Sequence, residues 1–281
     1  MDLLKNDAYY FNTRKLELKE NLGNSCCSGN EGIIHLIGNA GDFFGKHNVG
    51  CIVVEGNCGD FAADSQGRFF SKYGHGKRYS GKPALFYVSG SVGSFFGQGN
   101  AREGICYATD IGPYCGFENK GVIIGRRIAD VPNEWIDKLE EKNGTIVALD
   151  EIICKRPSKN IIEPLDPKAE GYAKAKEHIN KLNALLENFG FTELKINYEA
   201  ILGAKYARMY RLGWVKKDNN LKKYGEDWFH YVFQQMKIEN EVAEKILTKL
   251  SNISGAFDEE KELRAIEDLL KKLFKNKNNS V

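Results

Sequence analysis

Four stretches decide how this chain folds: Gly38-Asn39-Ala40-Gly41-Asp42-Phe43-Phe44-Gly45, Gly56-Asn57-Cys58-Gly59-Asp60-Phe61-Ala62-Ala63, Gly90-Ser91-Val92-Gly93-Ser94-Phe95-Phe96-Gly97 and Asp110-Ile111-Gly112-Pro113-Tyr114-Cys115-Gly116. An apolar run accompanies each, so a unit of strand plus glycine-rich turn recurs every 17 to 19 residues or so. A unit this small cannot bury a core alone. It must stack on copies of itself, which predicts a β-solenoid.

Aligning the units outward from these turns places like on like. The strand columns read Ile33, Cys51, Leu85, Ile105, Val122, then Ile34, Ile52, Phe86, Cys106, Ile123, then His35, Val53, Tyr87, Tyr107, Ile124. The turn columns read Asn39, Asn57, Ser91, Asp110, then Gly41, Gly59, Gly93, Gly112, then Phe43, Phe61, Phe95, Tyr114. In a parallel stack, equivalent side chains lie about 4.8 Å apart, so short polar groups form ladders and aromatic rings stack. The glycines suit positive φ or places where a neighbouring coil leaves no room for a Cβ. Asp42 and Asp60 form a stacked carboxylate pair that could do acid/base chemistry, but like charges about 5 Å apart are costly. We read them as acceptors for turn amides.

Gly59 to Gly93 is 34 residues where its neighbours are spaced by 18 and 19. The interruption, Gln66 to Pro83, is expected to hold a loop plus a degenerate coil. A fifth strand runs from Gly121 to Arg126. A sixth, Gly144 to Leu149, follows a short helix that Pro132 opens and Gly144 closes.

The interruption interleaves cations with aromatics, and Arg68, Lys72, Tyr73, His75, Lys77, Arg78 and Tyr79 are the candidate partner-binding loop. Bases stacking on rings while lysines neutralise phosphates would use such a pattern, so nucleic-acid binding through 66–82 is one reading. A solvated loop is the other, and it is preferred because no basic stripe extends the site. Gly76 to Lys82 has the outline of a phosphate loop. Pro83 stands where a magnesium-binding Ser or Thr belongs, and an apolar strand follows, not a helix.

Composition narrows the class. A formal charge of +2 over 281 residues gives no global field for nucleic acid or acidic membranes. Seven cysteines without a C-x-x-C read as reduced, buried thiols. No apolar run is long enough for a membrane helix, and the charged start, Met1 to Lys19, is unlike a signal peptide, so a cytoplasmic protein is expected. Five histidines make no zinc pattern with the cysteines, and His35 is read as a packed or edge histidine. No catalytic residue, metal or cofactor is assigned.

Beyond residue 154 the period changes. Pro157, Pro164 and Pro167 mark a linker, and helical spacing follows: 168–189 stopped by Gly190, then about 198–212, 226–237, 240–250 and 259–274. The aromatic cluster Tyr206, Tyr210, Trp214, Trp228, Phe229, Tyr231 and Phe233 is read as core. The expected organisation is an N-terminal extension (1–29), a β-helix (30–154), a proline-rich linker (155–167) and a helical domain (168–281).

The Gly-Asn-x-Gly-Asp-(Phe/Tyr)-x-Gly phrase resembles the GXGXG repeat over about residues 30 to 130, closely in the coils Gly38 to Gly45 and Gly56 to Ala63. That repeat occurs in the C-terminal domain of the glutamate synthase large subunit and in one of the subunits of formylmethanofuran dehydrogenase. Ser94 and Pro113 replace the turn aspartate in later coils. The resemblance implies a right-handed parallel β-helix acting as a structural spacer. It implies a non-catalytic scaffold for protein-protein association, with a protein partner or a second copy, or else an accessory subunit of such an oxidoreductase or amidotransferase complex.

Overall fold

A computed structural model describes residues 15–69, 78–79, 82–154, 156–164, 170–205 and 219–235, with single positions at 244, 248 and 268. Ten strands are described: β1 (Lys15–Leu18), β2 (Ile33–Ile37), β3 (Cys51–Glu55), β4 (Arg68–Phe69), β5 (Arg78–Tyr79), β6 (Ala84–Val92), β7 (Gly104–Ile111), β8 (Val122–Val131), β9 (Thr145–Cys154) and β10 (Ile161–Ile162). Eight of them form one all-parallel sheet in the order β1-β2-β3-β6-β7-β8-β9-β10. Each of the eight is one side of a coil, and the coils stack as a β-solenoid of about seven turns.

The strand register is that of the sequence columns: Ile33 pairs with Cys51, Cys51 with Leu85, Leu85 with Ile105 and Ile105 with Val122. Alternate residues point inward, and Ile34, Ile52, Phe86, Cys106, Ile123 and Ile146 fill the core. The outward columns are buried as well, with Cys51, Val53, Leu85, Tyr87, Tyr107 and Ile124 all withdrawn from solvent. A parallel sheet covered on both faces reads as continuous apolar runs, which is why these strands show little alternation. A second side of each coil begins at the bridges Leu22–Ala40–Cys58–Val92 and continues in the distal halves of β6 to β9.

The third side is built from left-handed residues. Ser25, Cys27 and Gly29 in the first coil have positive φ, as do Phe43, Gly45 and His47, then Phe61, Ala63 and Ser65, then Phe95, Gly97 and Gly99, then Tyr114, Gly116 and Glu118. A non-glycine residue in this conformation costs roughly 1–2 kcal/mol. The compensation lies between coils. Phe43 and His47 donate their N–H groups forward to Asp60 O and Asp64 O at 2.8 and 2.9 Å, while Gly45 donates backward to Cys26 O at 2.9 Å. The next coils repeat this alternation, so every second peptide is spent on a neighbouring coil.

The stack extends past both expected boundaries. β1 lies in the segment read as an N-terminal extension, and β10 lies in the segment read as a linker. The interruption also differs from the expectation of a loop plus a degenerate coil. β3 pairs directly with β6, so no described strand of the interruption joins the main sheet; Gln66 still bonds to Asn48 in the stack, and β4 and β5 form a separate antiparallel pair. The helix before β9 is α1 (Asn133–Lys142), ended by Asn143 at φ 56° just before Gly144.

Helix α2 (Glu170–Asn188) belongs to the first of two compact units, residues 1–195 and 196–281. A Cβ on Gly171 would lie 3.8 Å from Ile162 Cγ2 at the last strand, and Phe191, just past the helix, packs on His35 of β2. At 1.5 Å per residue, α2 spans about 28 Å, close to the length of the stacked sheet. It is a strap fastened at both ends, with Ala175, Ile179, Leu182 and Leu186 as its buried stripe. Gly190, at φ 84°, ends it as expected. In the second unit, α3 covers 198–205, and α4 (Asn219–Gln235) starts earlier than the spacing suggested because Gly225 is accommodated, buried, within it. Of the helices expected at 240–250 and 259–274, only 244, 248 and 268 are among the described residues, each in helical conformation, and the remainder lies outside them.

Substitutions on the two faces of the strap should separate sharply. Ile179→Asp or Leu182→Asp places an unpaired charge in a fully buried site and should cost at least about 3 kcal/mol in urea unfolding. Glu177→Ala, which breaks the exposed pair with Lys181, should leave the urea midpoint almost unchanged.

Candidate functional site

The chemistry-bearing groups of the solenoid can be followed column by column. Asp42 N–H donates to Asn24 Oδ1 at 2.9 Å, Asp60 N–H to Asp42 Oδ1 at 2.9 Å, and Ser94 N–H to Asp60 Oδ1 at 2.6 Å. Each aspartate is therefore an acceptor for the backbone of the following coil, as the capping interpretation expects, though the amide lies one coil away and not in its own turn. Asparagine does the same at Asn24. A parallel ladder runs through Asn21, Asn39, Asn57 and Ser91, at 2.8 to 2.9 Å.

These ladders explain the glycine columns. A Cβ on Gly59 would sit 2.1 Å from Asp42 Oδ1 and 2.8 Å from Asp42 N, and Gly93 meets Asp60 in the same way. The ladder side chain occupies that space, so these glycines are needed for room. Four residues on, Gly45, Gly97 and Gly116 serve a different need, positive φ, which Ala63 meets in its coil.

One further column was not singled out from the sequence: Asn30, Asn48, Gln66, Asn100 and Asn119, all fully buried. Its members recur at the same intervals as the glycines, and that periodicity was the available signal. Asn48 Nδ2 donates to Gly50 O, Gln66 Oε1 and Leu85 O, while its Oδ1 accepts from Gly50 N–H and Asn30 Nδ2. The column breaks where the insertion leaves. Gln66 Nε2 turns to Ala84 O and Ile105 O, and Asn100 Oδ1 is left buried with no partner.

On the surface, the third side carries an aromatic ladder. Phe43, Phe61 and Phe95 stack with centroids 4.7 and 4.5 Å apart and planes within 7°, and Tyr114 continues at 5.4 Å. Trp135 of α1 ends it, donating Nε1–H to Tyr114 O at 3.0 Å. Phe43 and Tyr114 are 37% and 38% exposed. The rings spend their faces on one another and present their edges to solvent.

The candidate loop is less assembled. Arg68 is buried with its guanidinium against Gly99, so it is not part of an exposed basic patch. Arg78 and Tyr79 lie in β5, while Lys72, Tyr73, His75 and Lys77 lie outside the described residues. A strand, β6, follows Lys82 and Pro83, as the rejection of a phosphate loop requires.

Six cysteines are buried, and none forms a disulfide. Burial pushes the Cys58 and Cys115 thiols up to about 12, and Cys27, Cys51 and Cys106 upward as well. They pack as small apolar side chains. Among the described residues, no group of three His, Cys, Asp or Glu could hold a metal ion, and no helix is long and apolar enough to cross a membrane. Comparison with known proteins adds no relative, because no family model, no curated protein and no solved structure matches the chain.

The ladder geometry separates two roles for the aspartates. Asp42→Asn and Asp60→Asn keep the Oδ1 acceptor and should leave Tm within about 2 °C, while Asp42→Ala should cost about 1–2 kcal/mol by orphaning the Asp60 amide. Gly59→Val should cost about 3 kcal/mol or more by thermal unfolding, since backbone must shift to admit it.

Proposed function

We propose that this chain is a non-catalytic scaffold, a rigid parallel β-solenoid whose surfaces hold a protein partner or a second copy of itself. The observation that carries this reading is the exposed aromatic ladder Phe43–Phe61–Phe95–Tyr114, set at a fixed interval on a hydrogen-bonded frame. Contiguous half-exposed aromatic edges are costly to leave in water and are characteristic of association surfaces. The stacked carboxylates, meanwhile, are engaged as amide acceptors. A right-handed coil is the form this reading takes, since parallel crossovers are right-handed in nearly all cases.

A second reading follows from the resemblance of the Gly38 and Gly56 coils to the GXGXG repeat. On it, the chain is an accessory subunit of a glutamate synthase-like or formylmethanofuran dehydrogenase-like complex, with catalysis and cofactors on other chains. Nucleic-acid binding through 66–82 is the weaker alternative, because Arg68 is committed to the interior.

Light scattering after size exclusion, on the purified chain and on a tagged chain recovered from native lysate, tests this. We expect a stoichiometric assembly that Phe43→Ser/Tyr114→Ser disperses while Tm falls by only a few degrees. A flavin- or iron–sulfur-containing partner supports the accessory reading, whereas a homo-oligomer alone contradicts it. A monomer in both preparations contradicts the scaffold reading.

A further inference from the structure

The aromatic ladder runs between two columns that are charged in the early coils and uncharged in the later ones. Just before the rings, Ser25 N–H bonds to Asp42 O, Phe43 N–H to Asp60 O, Phe61 N–H to Ser94 O and Phe95 N–H to Pro113 O, at 2.7 to 3.1 Å. Asp42, Asp60, Ser94 and Pro113 are thus successive members of one column. Three residues past the rings, Gly29 N–H bonds to Lys46 O, His47 N–H to Asp64 O, Ser65 N–H to Gln98 O and Gly99 N–H to Phe117 O, at 2.7 to 2.9 Å. Lys46, Asp64, Gln98 and Phe117 form the second column, with Lys46 Nζ 5.9 Å from the Phe43 centroid. The ladder itself changes size along its length. Ser25 takes the place before Phe43, and Trp135 follows Tyr114 with centroids 5.7 Å apart.

We propose that this face pairs with the same face of a second copy, ladder against ladder and antiparallel, about a two-fold axis between Phe61 and Phe95. The pairing rests on the scaffold reading and commits it to one occupant. Phe61 then faces the partner's Phe95, Phe43 faces the partner's Tyr114, and the small Ser25 faces the partner's Trp135. Every charged member of the two columns meets an uncharged one. Asp60 faces the partner's Ser94 and Asp42 the partner's Pro113, while Asp64 faces the partner's Gln98 and Lys46 the partner's Phe117. A patch that is its own complement about one midpoint is what an isologous two-fold interface requires.

The period of the ladder selects a second copy as the occupant. Its ring edges recur at 4.7 and 4.5 Å, the spacing of stacked strands, and another stack of coils repeats at the interval needed to interdigitate along the whole ladder. The charges select the direction. A parallel pairing would set Asp42, Asp60, Asp64 and Lys46 each against its own copy, and juxtaposed like charges oppose association. The antiparallel pairing also accounts for the missing aspartate of the later coils. The frame would accept a carboxylate at 94, since Ser94 stands in the ladder place that Asp60 fills one coil earlier. Its absence clears the position that the partner's Asp60 approaches.

Sedimentation equilibrium of the purified full-length chain should show a monomer–dimer equilibrium. Ser94→Asp sets a carboxylate against the partner's Asp60 at two symmetric points and should raise the dimer Kd about tenfold, with Tm unchanged. Adding Asp60→Asn should restore the Kd, and Asp60→Asn alone should leave it as it was. Disulfide mapping gives the direction without relying on these variants, because six of the seven native thiols are buried. Under oxidised glutathione, Pro113→Cys chains mixed with Asp42→Cys chains should cross-link 113 to 42, and Pro113→Cys chains alone should not cross-link to one another. A disulfide joining two Pro113→Cys chains, or a dimer that Asp60→Asn alone tightens, overturns the antiparallel pairing. A purified chain that stays monomeric overturns it as well. If that chain is nonetheless recovered from native lysate in a stoichiometric complex with another protein, the scaffold reading survives without the pairing; a monomer there too removes both.

Discussion

The solenoid depends on closing each coil at a buried amide side chain. After the left-handed side, the chain must turn into the next strand inside the protein, where an unpaired peptide group costs about 1–3 kcal/mol. Asn48 meets this need in three directions. Its Oδ1 accepts from Gly50 N–H, its Nδ2 returns to Gly50 O, and the same group reaches Leu85 O and Gln66 in the following coil. Asn30 and Asn119 repeat the arrangement at Gly32 and Gly121. A carboxylate has no donor and a hydroxyl has one, on the same atom as its acceptor sites, whereas a carboxamide presents two N–H donors and a separate acceptor oxygen, which explains the amide identity along the column.

The glycines and the aromatic ladder follow from the same close stacking. Ladder side chains fill the space beside the preceding coil, so Gly59 and Gly93 cannot carry a Cβ. The left-handed conformation at Phe43, Phe61, Phe95 and Tyr114 is unfavourable residue by residue. It persists because forward-donating amides and stacked rings reward it at every coil, with stacking worth about 0.5–1.5 kcal/mol per pair. One coil alone would not hold this shape, and a stack of them does.

The strand register and the aromatic stack were legible in the sequence because a repeat displays its columns directly. The third side was not. Phe, Ala, Ser and His at positive φ contradict local preference, and only contacts between coils override it. The first coil was hidden because Ser25-Cys26 stands where the next coil has Phe43-Phe44, although Asn24 and Asn30 keep their ladder places. The insertion misled because Gln66, the last ladder residue before it, lies within the irregular stretch. Of the candidate site, the sequence marked the cations of 66–82 but could not tell that Arg68 turns inward.

Equilibrium urea unfolding of Asn48→Ala beside Asn39→Ala tests most directly whether buried amide closure holds the coils together. Both residues are asparagines of the same coil, but Asn48 is fully buried and Asn39 is exposed. Coil closure by the buried amide predicts a loss of at least about 3 kcal/mol for Asn48→Ala and about 1 kcal/mol for Asn39→Ala. Equal losses, or a larger loss at Asn39, would contradict it.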